Sequence, residues 1–177
     1  ELVANWLKHD SVEMKSVAQS QYLATLEKTR HRYNGYNLLF GDINSLKVYN
    51  NVNNSTHIID TGVYGLSNAD IATPWPKVTQ GVTALNNYVT KQKIINDEDL
   101  FDILRYDNKA DDALLPDTGV GYEWEKALSS IFIQSEKYGT RTSTLLLVDK
   151  NNTLTWKERR FSDKGEAQET RAFSFSI

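Results

Sequence analysis

The sequence contains no cysteine, three prolines, one methionine and three histidines among 177 residues. Without cysteine the chain can hold neither a disulfide nor Cys-ligated zinc. His9, His31 and His57 share no ligand spacing and form no HxxxH pair, so neither a zinc site nor a Ser/His/Asp triad is indicated, and no metal is expected. Glycine-rich phosphate loops are absent too; Gly119-Val120-Gly121 alone is a weak signal, so nucleotide cofactors are not indicated. The net charge of −3 and pI near 5.6 lack the basic excess of a nucleic-acid binder. Lys157, Arg159 and Arg160 therefore read as a solvated strand face. No segment approaches the roughly 18 apolar residues of a membrane span, and no apolar stretch follows a basic start as in a signal peptide. A soluble, cytoplasmic protein with a small-molecule ligand is expected.

What is present suffices for one core. At 40% hydrophobic and 24% charged, the chain suits a single domain over residues 1–177. Leu2, Val3, Trp6 and Leu7 fall on one helical face, and Ser11 offers an N-cap to a second helix packing through Val12, Val17, Tyr22, Leu23 and Leu26. From Tyr36 the pattern turns to short β runs separated by Gly41-Asp42-Ile43-Asn44 and by an Asn-rich loop from Asn50 to Asn54. Thr73 as N-cap and Pro74 at the first helical position predict a helix with a buried stripe of Trp75, Val78, Val82, Leu85 and Val89. Asn96, followed by Asp97, Glu98 and Asp99, predicts the start of another. A polar loop from Asp107 to Gly121 and a short helix bearing Trp124 and Leu128 come next. Three strands close the chain: Thr142 to Val148, a return strand with Leu154 and Trp156 inward, and a last one carrying Phe173, Phe175 and Ile177. Strands, helices, then strands is an α+β pattern with mostly antiparallel sheets.

Two Gly-centred motifs carry the chemistry. Tyr64-Gly65-Leu66-Ser67-Asn68-Ala69, with Thr73-Pro74-Trp75-Pro76-Lys77 behind it, offers an Asn amide; Tyr138-Gly139-Thr140-Arg141-Thr142 offers a guanidinium. Both groups suit an oxyanion or carboxylate, and each is expected at a strand end. These blocks resemble those of the transport and Golgi organisation protein 2 family, also called the NRDE family, and almost the whole chain fits that family's carboxyl-terminal two-thirds. Family members begin Met-Cys and carry an Asn-Arg-Asp-Glu motif soon after, whereas this chain starts at Glu1. The expectation is therefore a fragment or processed chain whose missing amino-terminal segment, or a separate chain supplying it, holds the nucleophile; without that Cys the chain would be catalytically dead. The resemblance implies the αββα four-layer sandwich of amino-terminal-nucleophile hydrolases, here without its amino-terminal segment.

It also implies roles. In the cysteine branch of those hydrolases an Asn helps hold the oxyanion, which would make Asn68 such a donor, worth about 3 kcal/mol. The competing reading is an Asn capping its own turn. Arg141 matches an Arg of related acylases and would depress a thiol pKa or clamp a substrate carboxylate; the alternative is a structural pair with Glu136 or Glu158. Tyr64, Trp75 and Tyr138 are candidate substrate-binding residues, against the plainer reading of packed aromatics. All four tryptophans, Trp6, Trp75, Trp124 and Trp156, sit on predicted apolar faces. No cofactor is expected, with haem as a conceivable ligand through His31 or His57 because the family is implicated in haem handling. Two functions follow: hydrolysis of a carbon–nitrogen amide bond, or non-catalytic haem, lipid or acyl-coenzyme A binding on the same scaffold.

Overall fold

The computed structural model describes residues 2–7, 15–71 and 73–177. Ser11 and Val12, the expected cap and first packing residue of the second helix, and His9 lie outside the described residues. The chain divides into two compact units, residues 1–73 and residues 74–177.

In the first unit, helices α1 (Leu2–Leu7) and α2 (Lys15–Thr29) precede an antiparallel meander of β1 (Asn37–Asp42), β2 (Ser45–Asn50) and β3 (Ser55–Ile59). The β1–β2 turn depends on Gly41, whose φ of 131° and close approach to the Ser45 carbonyl leave no room for a Cβ. Tyr22, Leu26, Phe40 and Tyr49 form the buried cluster, flanked by Leu2, Trp6, Leu23, Tyr36 and Leu38. The rings of Trp6, Tyr22 and Phe40 sit 5.1–5.5 Å apart in tilted and edge-to-face pairs. Val3, Leu7 and Val17, expected inward, are exposed. Leu2 and Trp6 are four residues apart and share the packed stripe, while Val3 and Leu7 lie about 100° further round the helix. On α2 the stripe is Gln19, Tyr22, Leu23, Leu26, and Val17 falls outside it. Gln19 is buried because its amide bonds with the Ser45 carbonyl and hydroxyl.

In the second unit, α3 (Pro76–Lys91), α4 (Asp97–Leu104) and α5 (Tyr122–Ala127) precede β4 (Thr142–Val148), β5 (Thr153–Phe161) and β6 (Ala167–Ser176), again an antiparallel meander. Helices with two three-stranded antiparallel sheets make the fold class α+β. Helix α3 begins two residues later than expected: Trp75 is its N-cap and Pro76 its first residue. A residue preceding proline is driven out of the helical region, and Trp75, at φ −60° and ψ 150°, obeys the constraint Pro76 imposes. None of its predicted stripe is fully buried and Val89 is exposed; α3 packs through Leu85 and Tyr88 onto the cluster of Leu100, Phe101 and Leu145. Helix α4 starts as expected, the Asn96 side chain accepting a hydrogen bond from the Glu98 amide at 3.0 Å.

The largest departure is on β5. Lys157 and Arg159 are not a solvated face: they pair with Asp97 and Glu98 in the first turn of α4, and the Arg159 guanidinium lies 4.0 Å over the Phe101 ring. Arg160, one step along the pleat, is exposed. The inward assignment of Trp156 is correspondingly reversed. It stands 41% exposed on the other face, where the register aligns Leu146–Trp156–Phe173 and Val148–Leu154–Phe175. Trp124 is exposed too, so of the four tryptophans only Trp6 and Trp75 are partly buried.

Candidate functional site

The Tyr64–Ala69 motif does not end a strand; it belongs to the loop of residues 60–71 that follows β3. Its placement comes from the meander beneath it. The register aligns Asn37, Asn50 and Ser55 in one row across β1, β2 and β3, with Leu39, Val48 and His57 in the next row of the same face. The buried cluster with α2 uses Leu38, Phe40 and Tyr49 from the other face. The row of Asn37, Asn50 and Ser55 receives the loop. Asn37 Nδ2 donates to the carbonyls of Ser67, at 3.0 Å, and Ala69, at 2.9 Å. Its Oδ1 accepts from Asn50 Nδ2 at 2.9 Å, and Asn50 Oδ1 accepts from the Asn53 amide at 2.8 Å.

Asp70 is the other fixed point. Its Oδ2 accepts from the Ser55 hydroxyl at 2.7 Å and from Asn53 Nδ2 at 3.3 Å. These donors, Ser55 foremost, outweigh the opposing effect of burial and hold the carboxyl below its ordinary pKa, with the His57 charge and the Ile71 amide adding to the effect. His57 Nε2 lies 2.8 Å from Asp70 Oδ1. Both atoms are shielded from solvent, yet neither makes a well-aligned hydrogen bond, so their interaction is one of proximity and charge. Asn68 sits between the two fixed points. Its side chain is exposed and has no hydrogen-bond partner among the described residues, so it does not cap its own turn. Tyr64, in the same loop, is 47% exposed, and its ring closes on Gly62.

The Asn-rich stretch does more than turn the chain. Asn51, buried, accepts from the Tyr36 amide at 2.6 Å and donates to the carbonyls of Arg30 and Asn34. Asn54 takes a positive φ of 53°, and its side chain accepts from the Tyr49 hydroxyl. Tyr36, partly buried next to Tyr49, Tyr22 and Tyr33, has its pKa pushed up to about 12, desolvation being the main cause.

In the second unit, the Tyr138–Thr142 motif is built as a tight turn. Ser135 donates to the Tyr138 carbonyl through its amide and its hydroxyl, at 2.9 and 2.7 Å. Thr140 exchanges bonds with the Ile133 backbone, and Gly139 passes so close to the Ile133 carbonyl that a Cβ would lie 3.1 Å from it. Arg141 follows immediately before β4, its carbonyl accepting from the Phe161 amide at 2.9 Å. Its side chain is exposed and forms no ion pair with Glu136, Glu158 or any other described residue. Tyr138 stacks edge-to-face on Trp124, centroids 6.3 Å apart. Trp75 caps α3 with Lys77 Nζ 5.6 Å from its ring. Tyr64 and Asn68 thus share one loop of the first unit, while Trp75, Tyr138 and Arg141 belong to the second.

Sequence reasoning missed Asn37, Ser55 and Asp70, and it singled out His57 only as a conceivable haem ligand rather than as the neighbour of Asp70. The one signal available for the others was the density of Asn, which by itself reads as turn chemistry. Among the described residues no group of three or more His, Asp or Glu is placed to hold a metal, and no helix is long and apolar enough to cross a membrane.

Comparison with known proteins agrees with the motifs. The family model described as Transport and Golgi organisation 2 matches residues 1–163. The mouse Transport and Golgi organization 2 homolog and the human Transport and Golgi organization protein 2 homolog are each 31% identical over 191 aligned positions, covering all of this chain and 67% of those proteins. A bovine homolog is 33% identical over 172 positions, 90% of this chain and 60% of its own length. With a family model over nearly the whole chain, and two motifs that build an exposed Asn amide and an exposed Arg, the chain belongs to the Transport and Golgi organisation 2 family.

Proposed function

We propose that this chain is the carboxyl-terminal part of a single αββα, amino-terminal-nucleophile domain that hydrolyses a carbon–nitrogen amide bond, using a Cys upstream of residue 1. The carrying observation is Asn68: an amide with free donors, exposed, between two hydrogen-bonded anchors of its loop. In this reading the Cys thiolate attacks the carbonyl carbon and forms the C–S bond. The carbonyl oxygen takes the developing charge within reach of Asn68 Nδ2, and the amine leaves with a proton from the Cys α-ammonium. Water then hydrolyses the thioester, giving the carboxylic acid and restoring the thiol. Arg141, without an ion-pair partner among the described residues, supplies positive charge for the thiolate or a substrate carboxylate. The test is turnover of acyl-amide substrates by the intact, Cys-containing protein. Asn68→Ala should lower kcat about 100-fold; no thiol-dependent turnover, or an unchanged rate in the variant, defeats the hydrolase reading.

A second reading, binding of an acyl chain or haem without catalysis, is favoured by the half-exposed rings of Tyr64 and Tyr138 beside the two motifs. His57 Nε2 is engaged with Asp70, so ligation of haem through it would break that pair, and exposed His31 is the ligand this version retains. Titration with palmitoyl-coenzyme A or hemin should give saturable quenching of Trp fluorescence, and a flat titration through high micromolar concentrations would rule this reading out.

A further inference from the structure

We propose that Asn37 is a positioning residue for Asn68, with Asp70 as the second anchor, so that the 67–70 turn is a rigid mount for one exposed amide. The proposal rests on reading Asn68 as a ligand-contacting group and adds the device that holds it.

The bonding directions leave one solution. The Asn53 backbone amide can only donate, so the Asn50 side chain must turn its Oδ1 toward it. That leaves Asn50 Nδ2 facing Asn37, which must then present Oδ1. Asn37 Nδ2 is thereby aimed at two carbonyls, which can only accept, and both its hydrogens are used. The carbonyls are those of Ser67 and Ala69, the residues on either side of Asn68. Asn50 is 4% exposed, so the orientation is set from inside the fold rather than by solvent. Beyond Ala69, Asp70 is tied to Ser55, Asn53 and His57 from β3 and the turn before it. Asn37, Asn50, Asn53, Ser55 and Asp70 each hydrogen-bond within this network, whereas the Asn68 side chain has no partner among the described residues. Asn37 thus clamps the peptide group that precedes Asn68, through the Ser67 carbonyl, and the one that follows Ala69, so the chain is held before and after a side chain that is left free.

The experiment compares the 177-residue chain with Asn37→Asp and Asp70→Asn, both close to isosteric. Asn37→Asp keeps the acceptor for Asn50 and removes both donors to the turn. The expected result is a rise of about tenfold or more in amide exchange at residues 67–70 and loss of order in the Asn68 side-chain NH₂ signal by NMR, with exchange in β2 and β3 within about twofold of the parent. Asp70→Asn, which keeps the volume and removes the charge, should loosen the same turn to a smaller degree. Unchanged exchange at 67–70 in both variants overturns the proposal. So does a uniform rise across α2 and β1–β3, which would make Asn37 a support of the sheet rather than of Asn68. Neither readout involves a ligand, so the proposal can stand while the hydrolase reading falls, or the reverse: Asn68→Ala tests the function and leaves the mount intact.

Discussion

The two sheets share a topology and differ in which face carries apolar residues. In the first, β1 and β2 give Leu38, Phe40 and Tyr49 to the cluster with α2, and the opposite face holds the polar row Asn37–Asn50–Ser55 on which a loop is hydrogen-bonded. In the second, the face turned to α4 mixes Leu145 and Leu147 with Lys157 and Arg159, and the opposite face exposes Leu146, Trp156, Phe173 and Phe175. The difference lies in what the covering helix presents. Helix α2 offers Tyr22 and Leu26, so apolar strand residues face it. Helix α4 begins with Asp97 and Glu98, placed where carboxylates favour the helix dipole, and long basic side chains reach them, with the Arg159 guanidinium over the Phe101 ring. The polarity of a strand position is therefore set by its partner as much as by burial.

Substitutions that separate these arrangements form a graded series. Truncating a fully buried residue should have the largest effect: Leu26→Ala, at a site with no exposed surface, should cost about 3 kcal/mol by urea denaturation. Its increase in amide exchange should be greatest in α2, β1 and β2; an equal rise in β4–β6 would remove the distinction between the two cores. Asp70→Asn should cost about 1–2 kcal/mol near neutral pH, since it weakens hydrogen bonds to a charged acceptor. Because the carboxyl is held below its unfolded pKa of 3.8, its contribution is complete above that value and is lost as pH falls through the lower folded value. The gap in urea midpoint between parent and variant should thus be present at neutral pH and close below about pH 4; a gap that persists at low pH would show that the charge is not what matters.

The smallest effects should come from β5. Arg159→Gln should cost about 1 kcal/mol through loss of the guanidinium over Phe101, with a further part that fades in high salt as the Glu98 pair is screened. Arg160→Gln, one residue away, should change stability by less than about 0.5 kcal/mol. Equal effects at the two positions would mean that β5 is a solvated strand after all.

Much of the local structure was legible in the sequence. Asn96 with three following acids announced α4, the alternation of Phe173 and Phe175 announced β6, and the Gly-centred motifs announced the family. These are signals carried within a few residues, where capping, pleat and turn chemistry act. The start of α3 was also a local matter, since Pro76 constrains Trp75 directly, and it was misplaced only because Thr73-Pro74 imitates the same pattern two residues earlier. Other features depended on residues far apart in the chain. Nothing near Arg159 says that Glu98 will face it, and nothing near Asn37 says that carbonyls 30 and 32 residues away will take its two donors. The sequence by itself determined the elements, their α+β order and the family. Tertiary structure decided which face of each strand is covered and which asparagine is held and which is left free, because a hydrogen bond or ion pair needs a partner that only the folded chain brings within about 3 Å.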